Sequence, residues 1–118
     1  HPKRTQDVEQ VMGALFVMRR KMMEEVGEWD EKFFLWFEEV DYCKRAHEAG
    51  WKVRYYADVQ VQHVKGASFS KEGTRKKQSH LRKSLRHYMR KHFGWKAWLV
   101  FVLWNPAFWV LGHVAHFF

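Results

Sequence analysis

Apolar and polar residues alternate along this chain with two different periods, and the switch between them predicts its elements. Residues 8–18, VEQVMGALFVM, are rich in β-branched and aromatic side chains and predict a buried strand with Gly13 and Ala14 inside it. A glycine within a strand often marks a bulge or the close approach of a ligand. Residues 19–26 have helical composition and stop at Gly27, a fitting C-terminal cap. A loop, EWDEKFF, leads to a second helix over 38–49, with acids in its first turn and Gly50 as its stop. Residues 51–56 and 59–63 predict two short strands, followed by the loop KGASFSKEG. Residues 78–92 return to helical spacing, with Leu81, Leu85 and Tyr88 as an apolar stripe among basic residues. The rest, 95–118, carries almost no charge and is interrupted by Asn105-Pro106.

Composition narrows this picture. At 118 residues with 47% hydrophobic positions, the chain holds one small core and is not a disordered polypeptide. A single cysteine, Cys43, excludes an internal disulfide. The chain begins at His1 with polar residues, so no secretory leader is legible, and the missing initiator Met reads as a fragment, a processed chain or a cloning boundary. The net charge of +8 is concentrated: between Lys71 and Lys96 there are ten Lys or Arg and one acid, Glu72. The basic character belongs to one element, not to the whole surface.

Three constellations carry candidate chemistry. Glu38, Glu39 and Asp41 follow the aromatic run Phe33, Phe34, Trp36 and Phe37. Aromatic faces suit a sugar ring, and a carboxylate at their edge can take a proton from a hydroxyl. The plainer reading is that acids collect at helix starts because the macrodipole favours them by roughly 0.3–1 kcal/mol each, and aromatics are ordinary core material. His63 closes a predicted strand beside Gly66-Ala67-Ser68, where a neutral imidazole suits a divalent metal or a diphosphate; a polar strand end is the plainer alternative. Cys43 and His47 share i,i+4 spacing, a weak metal signal, and read as packing residues.

The basic helix fits a phosphate backbone, anionic lipid or a solvated face, and its apolar stripe favours lipid. The tail from 97 to 118 approaches the roughly 20 residues that cross a bilayer. Pro106 and the histidines His113 and His116 favour instead a helical hairpin at the interface that turns at Asn105-Pro106, with a strained single span as the second choice. Trp95, Trp98, Trp104 and Trp109 are of the residue type that prefers the membrane–water boundary.

Four segments, in order, give the chain a family likeness: GALFVMRR from Gly13, EEVGEWDEKFF from Glu24, WFEEVDYCKRAHEAGWKVRYY from Trp36, and VQHVKGAS from Val61. Together with the basic helix containing KSLRHYMRKHFGW, they resemble the C-terminal half of a bacterial family-two glycosyltransferase of the GT-A type, rhamnosyltransferase-like. The resemblance implies an α/β fold: an acceptor-side half over 1–70, a basic amphipathic helix over 71–94 and an apolar, Trp-rich helical tail over 95–118.

The implied activity is transfer of a hexosyl group, with inversion, from a nucleotide-diphosphate sugar to a glycan or lipid-linked acceptor in cell-envelope polysaccharide synthesis. Glu39 falls on the position of the family's base, where Asp is usual. Acceptor-binding positions fall on Gly13, Ala14, Trp36, Glu38 and Asp41, and the histidine near a divalent cation (Mg or Mn) falls on His63. The family's second glycine and its Phe are replaced here by Glu28 and Trp29. No Asp-x-Asp occurs in the 118 residues, so the chain alone is expected to be inactive. The expected location is the cytoplasmic face of a membrane, with no nucleic-acid partner. The alternative is a basic membrane-surface or nucleic-acid-binding module without catalysis.

Overall fold

The computed structural model describes residues 2–63 and 73–114, with the side chains of all of them but residue 74 and residues 104–114. Along the chain run β1 (Gln6–Asp7), α1 (Arg20–Val26), α2 (Glu38–Glu48), β2 (Arg54–Tyr55) and α3 (Thr74–Val114). The result is a mixed α/β arrangement with one small sheet.

α1 ends at Gly27, whose φ of 84° is disfavoured for residues with a Cβ, and whose N–H reaches the Met23 carbonyl at 2.9 Å. α2 ends through two crossed bonds, Trp51 N–H to the Ala46 carbonyl and Gly50 N–H to the His47 carbonyl, both 2.9 Å. Gly50 sits at φ 82°, the left-handed residue that this 6→1 and 5→2 closure requires. Between the two helices lies the core: Met22, Tyr42 and Ala46, with Phe16, Met18, Val26, Trp29 and Trp51 packed around them. Tyr42 fills its centre, its ring 4.7 Å from that of Trp29, and its hydroxyl donates to the Gly27 carbonyl at 2.9 Å. That bond ties the end of α1 to the middle of α2 and satisfies a polar group that burial would otherwise leave costly.

The strand expectations fare unevenly. Residues 8–18 are not a strand: the pairing stops at Asp7, and Gly13-Ala14 form a turn in the open instead of a strand interior. Alternate side chains still sort, with Phe16 and Met18 on the core and Met12, Leu15 and Val17 exposed. A strand exists only as one side of a ladder, and here the ladder ends with one further bond, Val8 N–H to the Val53 carbonyl at 2.9 Å; among the described residues no strand pairing continues beyond it. β2 occupies only the middle of 51–56 and pairs antiparallel with β1, Gln6 opposite Tyr55 and Asp7 opposite Arg54. Residues 59–63 form no strand either, and Val59 and Val61 stand exposed.

α3 extends further than expected in both directions and breaks elsewhere. It starts at Thr74, runs through Asn105-Pro106 without the expected turn, and is interrupted at Gly94, where φ is 78° and ψ 178°. On its inward face Ser84 is the buried position, and the Ser84 hydroxyl donates to the Leu35 carbonyl at 2.7 Å. The inward arc is polar and aromatic, and Tyr88 of the apolar stripe packs on Phe37 within it. The loop expected at 65–73, apart from Gly73, and residues 115–118 lie outside the described residues.

Candidate functional site

Glu38 and Glu39 open α2 where its N–H groups and dipole favour negative charge. The turn before them is strained: Trp36 and Phe37 both have positive φ, 60° and 72°. The left-handed region is unusual for bulky residues and costs on the order of 1–3 kcal/mol each, a cost met only where surroundings fix the conformation. Those surroundings are identifiable. Phe33 is buried with its ring 4.6 Å from His87, and the Phe37 ring stands 5.3 Å from Tyr88. The Leu35 carbonyl is held by Ser84. Three aromatics of the run thus meet α3, Phe34 through the His80 ring at 4.8 Å although most of it is exposed, while Trp36 stands exposed beside the carboxylates.

One oxygen of each glutamate, Oε2 in both cases, is shut off from solvent and has no hydrogen-bond partner among the described residues. Burial pushes the Glu38 carboxyl above its ordinary range; its own backbone N–H pulls the other way, and the neighbouring Glu39 charge adds to the rise. A pair of adjacent carboxylates with unspent acceptor capacity is chemically suited to receive a proton or a hydroxyl hydrogen bond.

Asp41 is situated differently. It is 0% exposed, and its oxygens are engaged by three side chains, Lys91, His92 and Arg45. Lys91 Nζ lies 2.8 and 2.9 Å from its two oxygens, His92 Nε2 2.7 Å from Oδ1, and Arg45 Nε 2.9 Å from Oδ2. Burial alone would raise the Asp41 pKa, but hydrogen bonds from Lys91, His92 and Arg45 bring it below the ordinary range. Lys91 also reaches Asp30 Oδ2 at 2.8 Å, an oxygen that His87 Nε2 approaches at 2.9 Å. There too burial is outweighed, and the Asp30 carboxyl is held well below its usual range by Lys91 and His87. Arg45 extends the network to α1 by donating to the Val26 and Glu28 carbonyls, both at 2.8 Å. Lys91 therefore fastens both ends of the strained turn, Asp30 before it and Asp41 after it, to one point on α3.

This network is what the sequence reading missed. Its one local signal is the Asp41/Arg45 pair at i,i+4. Lys91, His87 and His92 lie within a run of charge that reads as outward-facing, and only tertiary packing turns them inward.

The structure brings together Trp36, Glu38, Glu39 and Asp41 at the start of α2. Gly13 and Ala14 lie in an exposed turn, with open space around the Gly13 Cα. His63 is exposed at the end of the first described stretch, and the small-residue loop after it lies outside the described residues. Among the described residues no group of three or more His, Cys, Asp or Glu side chains is placed to hold a metal ion. Cys43 is buried against α2's own neighbours, and His47 contacts the Glu9 carbonyl at 3.1 Å, so both serve packing.

No solved structure matches the chain significantly. The N-acetylglucosaminyl-diphospho-decaprenol L-rhamnosyltransferases of two Mycobacterium tuberculosis strains, CDC 1551 / Oshkosh and H37Rv, are each 29% identical to it over 83 residues. That alignment covers 70% of this chain and 27% of each relative, so the chain spans about a quarter of their length. Residues 3–92, which include both glutamates, the strained turn and the whole ion network, match the family described as Glycosyltransferase like family 2, and the chain belongs to that family.

Proposed function

We propose that this chain is the acceptor-side, C-terminal part of a GT-A-type glycosyltransferase that moves a sugar, with inversion, from a nucleotide-diphosphate donor to a lipid-linked or glycan acceptor in cell-envelope polysaccharide synthesis. The observation that carries this reading is the Glu38-Glu39 pair, one oxygen of each shut off from solvent and without a donor among the described residues, set behind a strained aromatic turn. The relatives act on a lipid-diphosphate-linked sugar, by their names, which supports an acceptor of that class.

In this reading Glu39 is the general base. Its carboxylate takes the proton from an acceptor hydroxyl as that oxygen bonds to the anomeric carbon of the donor sugar. The bond from that carbon to the nucleotide diphosphate breaks, and its electron pair leaves with the diphosphate. Glu38, whose carboxyl is raised by burial, binds acceptor hydroxyls beside it. Trp36, exposed next to the pair, offers an aromatic face to the sugar, with Gly13 and Ala14, on their exposed turn, as further acceptor-binding positions. Asp41 contributes by holding the helix start in register, since its own oxygens are occupied.

The described residues do not by themselves form a site for the divalent cation (Mg or Mn) that the family resemblance implies, because no group of three or more His, Cys, Asp or Glu among them is placed to hold one. The role assigned to this part of the enzyme is accordingly proton transfer and acceptor binding. Loss of a positioned base costs about 10²–10⁴-fold in rate. Glu39→Gln in the intact enzyme, assayed with saturating donor and acceptor, is expected to lose turnover by that factor, and Glu38→Gln chiefly to raise the acceptor KM. Turnover within a few-fold of the parent in Glu39→Gln removes Glu39 from the role of base.

A further inference from the structure

We propose that α3 is a membrane-docking element: the outer face of its first half binds an anionic lipid surface, and the apolar stripe after Gly94 enters the boundary of the acyl chains. This goes beyond the catalytic reading and does not depend on it.

Two opposite faces of the helix before Gly94 have different partners. Ser84, His87, Lys91 and His92 look inward and are bonded to the loop before α2 and to α2 itself. At 100° per residue the opposite side carries Arg75, Arg82, Lys83, Arg86 and Arg90. Of these, all but the half-buried Arg82 are exposed. No Asp or Glu occurs anywhere between Thr74 and Val114. An ordinary solvated helix intersperses both signs; a face of one sign without a single counter-charge on its own helix is built to meet an anionic surface.

Beyond Gly94 the exposed residues change from cationic to apolar. Trp95, Leu99 and Leu103 are 65%, 40% and 66% exposed and follow one another at i, i+4 and i+8, so they form a single stripe with Val100 beside it. The side chain of Lys96 lies 5.9 Å from the Trp95 ring centre, which places a cation and an indole together at the junction. Trp and Lys side by side suit the headgroup level, where an aromatic body and a charged tip are both accommodated. The family match ends at residue 92, so this stripe begins outside the matched domain.

Among the described residues no helix is long and apolar enough to cross a membrane. A basic face followed by an apolar stripe with Trp at the junction is the arrangement of a helix lying in the interface plane. A nucleic acid would engage the cations and leave the Trp95 stripe without a role. A protein partner seated on the stripe would leave the cations without one. Only an anionic lipid surface engages both.

Co-sedimentation of the 118-residue chain with phosphatidylcholine vesicles, with and without phosphatidylglycerol, tests this across a salt series. The chain should partition onto the anionic vesicles, weaken as salt screens the cations, and keep a residual salt-resistant binding from the stripe. Each basic residue near an anionic surface is worth on the order of fivefold in partitioning. Lys83→Gln/Arg86→Gln/Arg90→Gln should therefore lower binding about a hundredfold, while Trp95→Ser/Leu99→Ser/Leu103→Ser should abolish the salt-resistant part.

Both variants alter exposed positions, and circular dichroism of each establishes that α3 is retained. Equal binding to neutral and anionic vesicles, or none to either, overturns the proposal. So does a stripe variant that binds as the parent does. Binding to polyuridylate, lost in the Gln variant, with no vesicle binding at all would assign the basic face to nucleic acid instead. None of these outcomes bears on Glu39, and a failed base assignment leaves the vesicle result unaffected.

Discussion

Two aspartates in this molecule are each gripped by two cations, Lys91 and Arg45 at Asp41 and Lys52 and Arg54 at Asp7, yet their surroundings differ. Asp41 on α2 is fully buried and contacts Lys91, His92 and Arg45 within 2.9 Å. Asp7 in β1 contacts Arg54 at 2.8 Å and Lys52 at 3.2 Å from an exposed ribbon. The pairwise geometry is nearly the same. The free energies are not, because water competes at Asp7 and is excluded at Asp41. Near the surface an ion pair is screened and gains little. In the interior the same pair is bound up with the desolvation of every member, so removing one leaves the others stranded. Counting salt bridges would rank the two regions as equals, whereas burial separates them.

The largest expected effect follows directly. Asp41→Asn keeps the shape and removes the charge that Lys91, His92 and Arg45 surround. Breaking a buried pair of this kind costs about 3–5 kcal/mol. Denaturant unfolding of the chain, followed by circular dichroism, should show a loss of that size or a chain that no longer folds. A loss below about 1 kcal/mol would mean that water enters the site freely and that the contrast with Asp7 is false.

Lys91 comes next, because it joins Asp41 to Asp30 across the strained turn. Lys91→Met keeps much of the stem and removes the shared donor. Hydrogen bonds to charged groups contribute roughly 1.5–3 kcal/mol, and the loss should fall in that range. A double-mutant cycle with Asp41→Asn sharpens the point: residues within one network show coupling of about 0.5–3 kcal/mol. Strict additivity would show that Lys91 and Asp41 act independently despite their contact. In the intact enzyme, by the proposed reading, Lys91→Met should also lower kcat, because the turn that presents Glu39 is no longer fastened on both sides.

What the sequence discloses follows the same division between local and tertiary causes. α1 and α2 are legible to within a residue or two because their determinants are local: Gly27 and Gly50 as stops, acids at the head of α2, and apolar positions at helical spacing. The carboxylates at the head of α2 are legible for the same reason. The stretches 8–18 and 59–63 have strand composition but form no strand, since a strand needs a paired neighbour and, apart from the single Val8–Val53 bond, no ladder runs along them among the described residues. Asp7–Arg54 pairing joins residues 47 positions apart, which no periodicity announces. The inward turn of His87, Lys91 and His92 is hidden for a further reason. Basic side chains turned toward a core are rare enough that a basic run reads as surface, and the placement of Asp30 and Asp41 opposite Lys91, His87 and His92 is what draws them inward.

Acid titration distinguishes the two regions without mutation. Asp30 and Asp41 have folded-state pKa values below those of an unfolded chain, so each contributes stability that is fully present above about pH 4, the ordinary aspartate range. That contribution is lost as pH falls below this range and the carboxylates protonate. Stability should hold flat with respect to these groups from neutrality down to about pH 4 and then decline. Asp41→Asn should flatten the acid limb. If the parent and Asp41→Asn lose stability in parallel below pH 4, the network is not what acid dismantles.

The smallest effect is expected at Asp7, and it is the control that gives the others meaning. Its carboxyl is lowered by Arg54 and Lys52, in that order, so the interaction is genuine. But the group is fully exposed, and the long cationic side chains that reach it lose rotamer freedom to do so. Asp7→Asn should leave the denaturation midpoint of the chain unchanged within error. What remains of the pair should disappear as ionic strength rises, because exposed charges are screened over about 10 Å at 0.1 M salt. The Asp41 effect, sealed from ions, should persist through the same series. A salt-dependent Asp41 penalty, or a large salt-independent one at Asp7, would exchange the roles of the two sites. The ribbon joining Gln6 to Tyr55 would then be the element that holds this chain together, and α2–α3 the contact that merely decorates it.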